Sequence, residues 1–318
     1  MDDSAVAGDV DAGRSFSYEP MAAAERRAFE RDGYLVVRGV LAAEVGNYAA
    51  AIDDLYERRR RAGQLGAGGA LHELSAVSTC PALAPLVDHP AIVGRVCSVL
   101  GWNVHVYHSH VDVHPPAAGD VPFRYEWHQD GGWQNEELET DPRPRLSVKA
   151  GYWLSDVSQA GRGNLKLVPG SHTVNRIDGP PRRDVPWPDP PGAAQVTARP
   201  GDVVLFDRRV WHARSENRSN LTRKAVFFAY TYRWVRSRDR IPPAAVARSP
   251  VRRQLLGLLD IDAADGDHAW GHDPATVPLY GQVCSGAADR SQQRSSVLAA
   301  CEHSGPDTPA ITPEASKP

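Results

Sequence analysis

Trp127-His128-Gln129-Asp130 and, further along, Pro200-Gly201-Asp202-Val203-Val204-Leu205-Phe206-Asp207, Trp211-His212 and Arg223 are the stretch from which the rest of the chain can be read. A histidine and a carboxylate two positions apart on an extended segment project from the same side, so both can meet one ion. On its own that spacing is a frequent accident, and most such histidines are structural or solvated. Here the pair follows a tryptophan, a second Trp-His follows a strand-forming segment, and an arginine heads the next strand. Two imidazoles and one carboxylate on one side of a metal suit Fe(II) and leave coordination positions open. His128, Asp130 and His212 are therefore the candidate metal ligands and catalytic centre.

The segments around them read as short strands with turns between. From Val104 the pattern alternates, and Val104, Val106, His108, His110, Asp112 and His114 fall on one parity, which predicts one polar face. Further strands are expected near residues 147–154, 165–168, 195–198, 202–206 and 224–232. Gly161-Arg162-Gly163-Asn164, Pro169-Gly170-Ser171-His172 and Arg199-Pro200-Gly201-Asp202 punctuate them as turns. Many short strands with Gly/Pro turns indicate a sandwich or barrel, so the fold class is mainly β with surrounding helices.

Ahead of the strands, residues 21–31 are good helix formers that stop before Gly33. Residues 34–41 read as a strand and residues 42–64 as a helix whose apolar side chains recur every three or four positions. Residues 91–100 form another helix, and residues 251–259 suggest a short one. The expected organisation is a disordered segment 1–17, one domain over 18–283 and a flexible tail 284–318. Within the domain, 18–103 is the helical part and 104–236 the β core. Two irregular segments, 134–144 and the proline-rich 179–192 with Trp187, are candidate loops over the mouth of a cavity.

Composition narrows the class. The 318 residues are 42% hydrophobic, with mean hydropathy −0.42, and suffice for a sizeable core. A net charge of −3, without a basic patch, gives no signal for nucleic acid. No run of eighteen apolar residues marks a membrane span, and the acidic Met1-Asp2-Asp3-Ser4 start is unlike a signal peptide, so the cytoplasm is the expected location. Cys80, Cys97, Cys284 and Cys301 are widely spaced and form no disulfide framework or thiolate zinc pattern. Oligomeric state leaves no trace in the sequence.

Arg223 has a physical reason of its own. A keto-diacid that chelates iron by one end needs a fixed cation for its distal carboxylate. Guanidinium offers a two-pronged fork that stays charged when buried, which lysine does not match. Arg223 lies eleven residues beyond His212. Its neighbours Arg214, Arg218 and Lys224 make a merely solvated arginine the competing reading.

His128-Gln129-Asp130, Gly163-Asn164-Leu165-Lys166-Leu167-Val168-Pro169-Gly170-Ser171-His172, the Pro200–Phe206 segment, and His212 through Asn217, Ser219 and Arg223 together resemble the phytanoyl-CoA dioxygenase family. That family is a branch of the Fe(II)/2-oxoglutarate-dependent oxygenases. The resemblance runs over roughly residues 17–236 and implies a double-stranded β-helix, or jelly-roll, core. It implies Fe(II), 2-oxoglutarate and O2 as cofactor and co-substrates, with ascorbate as reductant in vitro. By position, His128, Asp130 and His212 would hold the iron and Arg223 the distal carboxylate of 2-oxoglutarate. His114, Tyr152 and His108 fall where relatives place co-substrate contacts, and His110, Trp133 and Arg214 where they line the substrate pocket. Arg214 replaces a small hydroxyl residue, which removes a polar contact there and adds a cation. Halogenating relatives carry Gly or Ala at the position of Asp130, so its carboxylate favours hydroxylation.

The expected activity is hydroxylation of an unactivated C–H of a small polar or anionic metabolite. The lysine-poor, Ala/Arg/Asp-rich composition points to bacterial natural-product biosynthesis. Desaturation, epoxidation or oxidative cyclisation at the same iron is the enzymatic alternative. A jelly-roll binding protein with a vestigial metal site, or a zinc hydrolase or cupin-type isomerase, would lack any need for Arg223.

Overall fold

The computed structural model describes residues 18–117, 127–177, 189–259 and 277–284. The terminal segments 1–17 and 285–318, most of the 179–192 loop with Trp187, and Cys301 lie outside them.

The first helix, Ala23–Asp32, stops at Gly33, whose φ of 77° lets its N–H turn back to the Phe29 carbonyl. A side chain at Gly33 would collide with Val210 and His172, so the helix end seats directly on the loop that carries the distal Trp-His. Strand β1 (Tyr34–Val37) is shorter than its apolar run predicts. Gly39 turns the chain with φ 67°, and its N–H donates to the Asp202 carboxylate at 2.8 Å. Helix Val45–Arg61 follows, then β2 (Leu71–Leu74), three short helical turns, the helix Pro90–Leu100, and β3 (Val104–His114).

The remaining strands are β4 (Ser147–Trp153), β5 (Leu165–Leu167), β6 (Ala194–Gln195), β7 (Val203–Asp207), β8 (His212–Arg214) and β9 (Arg223–Tyr232). They form a six-stranded sheet in the order β1-β7-β4-β9-β3-β2 and a three-stranded sheet in the order β6-β5-β8. Every pairing is antiparallel. Helices Pro250–Leu255 and Pro278–Cys284 complete the helical layer.

Alternation along the strands divides the core in two. Val148, Ala150 and Tyr152 of β4, Val203 and Leu205 of β7, and Val226, Phe228 and Tyr230 of β9 pack against the helices. The opposite parity, Trp153, Val204, Phe206, Ala225 and Phe227, faces the small sheet and meets Leu165, Leu167 and Val210. Both faces of the central strands are thus covered, which is why their sequences are apolar almost without a break. Cys80 and Cys97 are buried in the helical layer and form no disulfide among the described residues.

Strand β3 departs from the expected single polar face. Its register against β9 shifts between Val106 and His108, leaving Tyr107 as an extra residue. This β-bulge reverses the parity. Val104 and Val106 pack with the helices, as Val111 and Val113 do on the other side of the bulge, and only His108, His110, Asp112 and His114 turn inward to a cavity. Strands β2 and β8 carry too few residues for a period to show in sequence. Among the described residues no single helix is long and apolar enough to cross a membrane.

Phe228 is fully buried between β9 and the helices. Phe228→Ala is expected to cost about 3–5 kcal/mol of unfolding free energy, read as a lower urea midpoint with an unchanged denaturant slope.

Candidate metal and co-substrate site

One cavity of about 710 Å³ opens between the two sheets at the ends of β3, β4, β8 and β9. Its lining brings together His128, Asp130 and His212 with Arg223, His108, His110, His114 and Arg214.

The three candidate ligands are placed by backbone pairing. His128 donates its N–H to the His212 carbonyl at 3.0 Å, and His212 returns the bond at 2.9 Å, so the segment before Asp130 pairs with β8. Asp130 N–H donates to Arg208 O, and Arg208 reaches back with its guanidinium to Asp130 O at 3.0 Å. Gln129, on the opposite parity, anchors the segment from behind by donating to Val174 O and accepting from Arg143. As a result the Nε2 atoms of His128 and His212 each lie 3.8 Å from Asp130 Oδ1. The ligand atoms of all three fall within 4.8 Å of one another. His212 Nδ1 donates to Val210 O at 2.8 Å, which fixes the ring and leaves Nε2 with its lone pair toward the cluster. Burial pushes the His212 pKa down to about 3, so the ring is a neutral donor at pH 7. Burial alone would raise the pKa of Asp130, but Lys149 and the two imidazoles outweigh it and hold the carboxyl far below its ordinary range. Two neutral-capable imidazoles and an ionised carboxylate converging on one point fit a divalent transition metal.

Arg223, at the head of β9, is buried with its guanidinium 4.8 Å over Trp153 and 5.7 Å from Phe227. One terminal nitrogen donates to Asp112 Oδ2 at 3.3 Å, while Nε has no hydrogen-bond partner among the described residues. Burial lowers its pKa against the pull of Asp112, yet a guanidinium remains charged. A buried cation lining the cavity fits the carboxylate of a bound ligand.

The wall is built of imidazoles. His110 stacks on Phe227 at 4.8 Å and 20°, a contact that exists because Gly151 has no side chain: a Cβ there would fall 2.6 Å from the Phe227 ring. Burial holds His110 and His114 at about 3, Arg223 and Arg214 adding to the effect at His114. His108 Nδ1 lies 3.7 Å from Asp239.

Two sequence expectations do not survive the geometry. Tyr152 is fully buried on the helix side of β4 and donates its hydroxyl to Leu86 O at 2.7 Å, because its parity is that of Val148 and Ala150 rather than Lys149. Trp133 is 80% exposed and outside the cavity lining, since Gly131 and Gly132 at positive φ turn the chain into the short helix Trp133–Glu137. The residue that sequence reasoning missed is Lys149. Its Nζ sits 2.6 Å from Asp130 Oδ2, on the inner face of β4. The available signal was a lone lysine in an otherwise uncharged, wholly buried strand. His72 and Asp112 also line the cavity.

An antiparallel double-sheet barrel holding a two-histidine, one-carboxylate cluster at its open end is the architecture of the non-haem jelly-roll oxygenases. The chain belongs to the phytanoyl-CoA dioxygenase family, whose profile matches residues 29–225. It is 26% identical over 239 residues to the ectoine dioxygenase of Bordetella parapertussis, covering 67% of this chain and 76% of that protein. Against the ectoine dioxygenase of Streptomyces anulatus it is 26% identical over 274 residues, 76% and 86% of the two chains. Among solved structures it is similar to the non-heme alpha ketoglutarate dependent carbocyclase SnoK from nogalamycin biosynthesis, with TM-score 0.51, 25% identity, and coverage of 67% and 84%. EctD from S. alaskensis, solved with 2-oxoglutarate and 5-hydroxyectoine, shares the fold at TM-score 0.54 and 22% identity, over 73% and 85% of the chains.

The buried imidazoles set a pH dependence of stability. His110 and His114 titrate at about 3 when folded and at about 6.5 when unfolded, so the unfolded chain takes up more protons between those values. Their contribution is complete above about pH 6.5 and is lost as pH falls toward 3, by up to ~1.4 kcal/mol per pH unit for each ring. Metal-free protein should melt at progressively lower temperature from pH 6.5 to 4.5, and His110→Phe should flatten that slope. A melting temperature that holds constant over the interval would contradict the assignment.

Proposed function

We propose that this chain is an Fe(II)- and 2-oxoglutarate-dependent hydroxylase of a small polar or anionic metabolite, acting in bacterial secondary metabolism. The observation that carries the proposal is the convergence of His128, Asp130 and His212 in the same cavity as the buried, partly unpartnered Arg223. When bound, Fe(II) with 2-oxoglutarate and O2 would supply an oxidant able to attack an unactivated C–H bond, one oxygen atom of O2 going into succinate as CO2 is released.

The protein's own residues do the rest. His128, Asp130 and His212 would hold the metal, the last with its ring orientation set by Val210 O. Lys149 engages Asp130 Oδ2 and leaves Oδ1, the oxygen nearer both imidazoles, for the metal. Arg223 would take the distal carboxylate of 2-oxoglutarate, its guanidinium held against Trp153 and Phe227. Phe206, Leu165, Ala213 and Phe227 line the cavity with apolar surface that limits water near the reacting carbon. Neutral His110 and His114, with Arg214 at the mouth, offer hydrogen bonds and one cation to a polar substrate.

The ectoine dioxygenases support a small, charged, ring-containing substrate class. The similarity to a carbocyclase supports the secondary-metabolic role and favours oxidative cyclisation as the second reading. Retention of Asp130 supports transfer of oxygen over halide.

Anaerobic titration of the iron-loaded protein with 2-oxoglutarate should give a charge-transfer absorption in the visible, and air should then release succinate. Asp130→Ala should abolish both iron binding and succinate release. Arg223→Leu should retain iron and weaken 2-oxoglutarate by roughly 10- to 100-fold, the worth of a charge-assisted hydrogen bond of about 1.5–3 kcal/mol. Iron-loaded wild type that shows neither the absorption nor succinate would overturn the proposal.

A further inference from the structure

The cavity contains a second histidine-x-aspartate sequence besides the one in the metal triad. His110-Val111-Asp112 places two side chains on the inner face of β3, and His72 of β2 stands directly across from Asp112 in the antiparallel register. The donor atoms of His72, His110 and Asp112 lie within 4.8 Å of one another. His72 Nδ1 is 2.6 Å from Asp112 Oδ1. His110 Nε2 is 3.8 Å from Asp112 Oδ2, too far for a hydrogen bond, and its buried Nδ1 has no hydrogen-bond partner among the described residues.

We propose that His72, His110 and Asp112 form a second divalent-cation site, of the zinc class, in the wall of the same cavity. The two clusters share one plan. Each has a histidine and an aspartate two apart on an extended segment, and a second imidazole brought across by antiparallel pairing. Each also has a cation on one oxygen of its carboxylate: Lys149 on Asp130 Oδ2 and Arg223 on Asp112 Oδ2. In the first, Oδ1 is left for an ion; in the second, Oδ1 holds the hydrogen bond with His72 that an ion would replace. The ring of His110 is held by its stack on Phe227, and burial keeps it neutral, so a lone pair is available. The hydrogen bond that His72 Nδ1 donates to Asp112 Oδ1 raises the pKa of His72; an arriving ion takes the place of the proton that these two share. Two imidazoles and one carboxylate, with the remaining positions facing open cavity, suit Zn2+ with N and O distances of about 2.0–2.2 Å. Arg223 beside the same carboxylate opposes a dication, which makes the site weaker than an otherwise equal one without that neighbour. A filled site would add positive charge beside Arg223, in the part of the cavity proposed to take the 2-oxoglutarate carboxylate.

Equilibrium dialysis of metal-free full-length protein against Zn2+, with bound metal counted by mass spectrometry, tests this. Relative to wild type, His72→Ala and Asp112→Asn should each lose one equivalent, and His128→Ala should lose a different one. His72 is the variant least able to disturb folding, since its side chain is 58% exposed, and melting curves of the metal-free variants check that the fold is kept. Wild-type zinc stoichiometry in both His72→Ala and Asp112→Asn would overturn the second site. An unchanged count in His128→Ala alone would instead count against the triad, leaving this site standing.

Discussion

The paired backbone hydrogen bonds between His128 and His212 are the constraint on which the site depends. Residues that exchange both N–H···O bonds across an antiparallel pair sit side by side with their side chains on one face. The pairing therefore fixes two imidazoles together, with ring centroids 4.3 Å apart, although 84 positions separate them in the chain. Asp130 follows by strand parity, and its own N–H is spoken for by Arg208 O. Nothing in the cluster relies on a long flexible side chain finding its place. The small sheet is short, yet it delivers His212, the partner of His128 and the Leu165 wall to the same end of the barrel.

Burial of so many ionisable groups in one cavity is sustained by mutual compensation. Asp130 is answered by Lys149, Asp112 by Arg223 and His72, and the innermost imidazoles stay neutral. An unpaired charge in such a place would cost several kcal/mol, so each carboxylate owes its ionised state to a specific neighbour. The fold contributes an apolar backing, Phe206 and Phe227 against the small sheet, that keeps those pairings strong.

Much of this was legible in the residues themselves. Short strand-forming segments such as 147–154 and 202–206, turn residues between strands, and the ordered His128, Asp130, His212 and Arg223 sufficed for the barrel and for the cluster at its mouth. What escaped shares one cause. Facing direction along a strand depends on an absolute phase, and phase is set by long-range pairing. Tyr152 and Lys149 are three apart on one strand; only the pairing of β4 with β7 and β9 decides that the lysine looks inward and the tyrosine toward Leu86. Trp133 escaped because two glycines redirect the chain within three residues of Asp130. Strand β2, with His72, is four residues long and becomes visible only through its register with β3.

The extra residue at Tyr107 has a consequence for how such a barrel can diversify. Before it, β3 belongs to the helical support through Val104 and Val106; after it, four alternate positions, 108, 110, 112 and 114, belong to the chamber. Substitutions at those four can retune what the chamber accepts while the hydrophobic seam on the other face stays untouched. A one-residue frameshift in that arm would exchange the two roles outright. Lineages descended from this scaffold are thus free to vary ligand preference by point changes, but closed to insertions or deletions there.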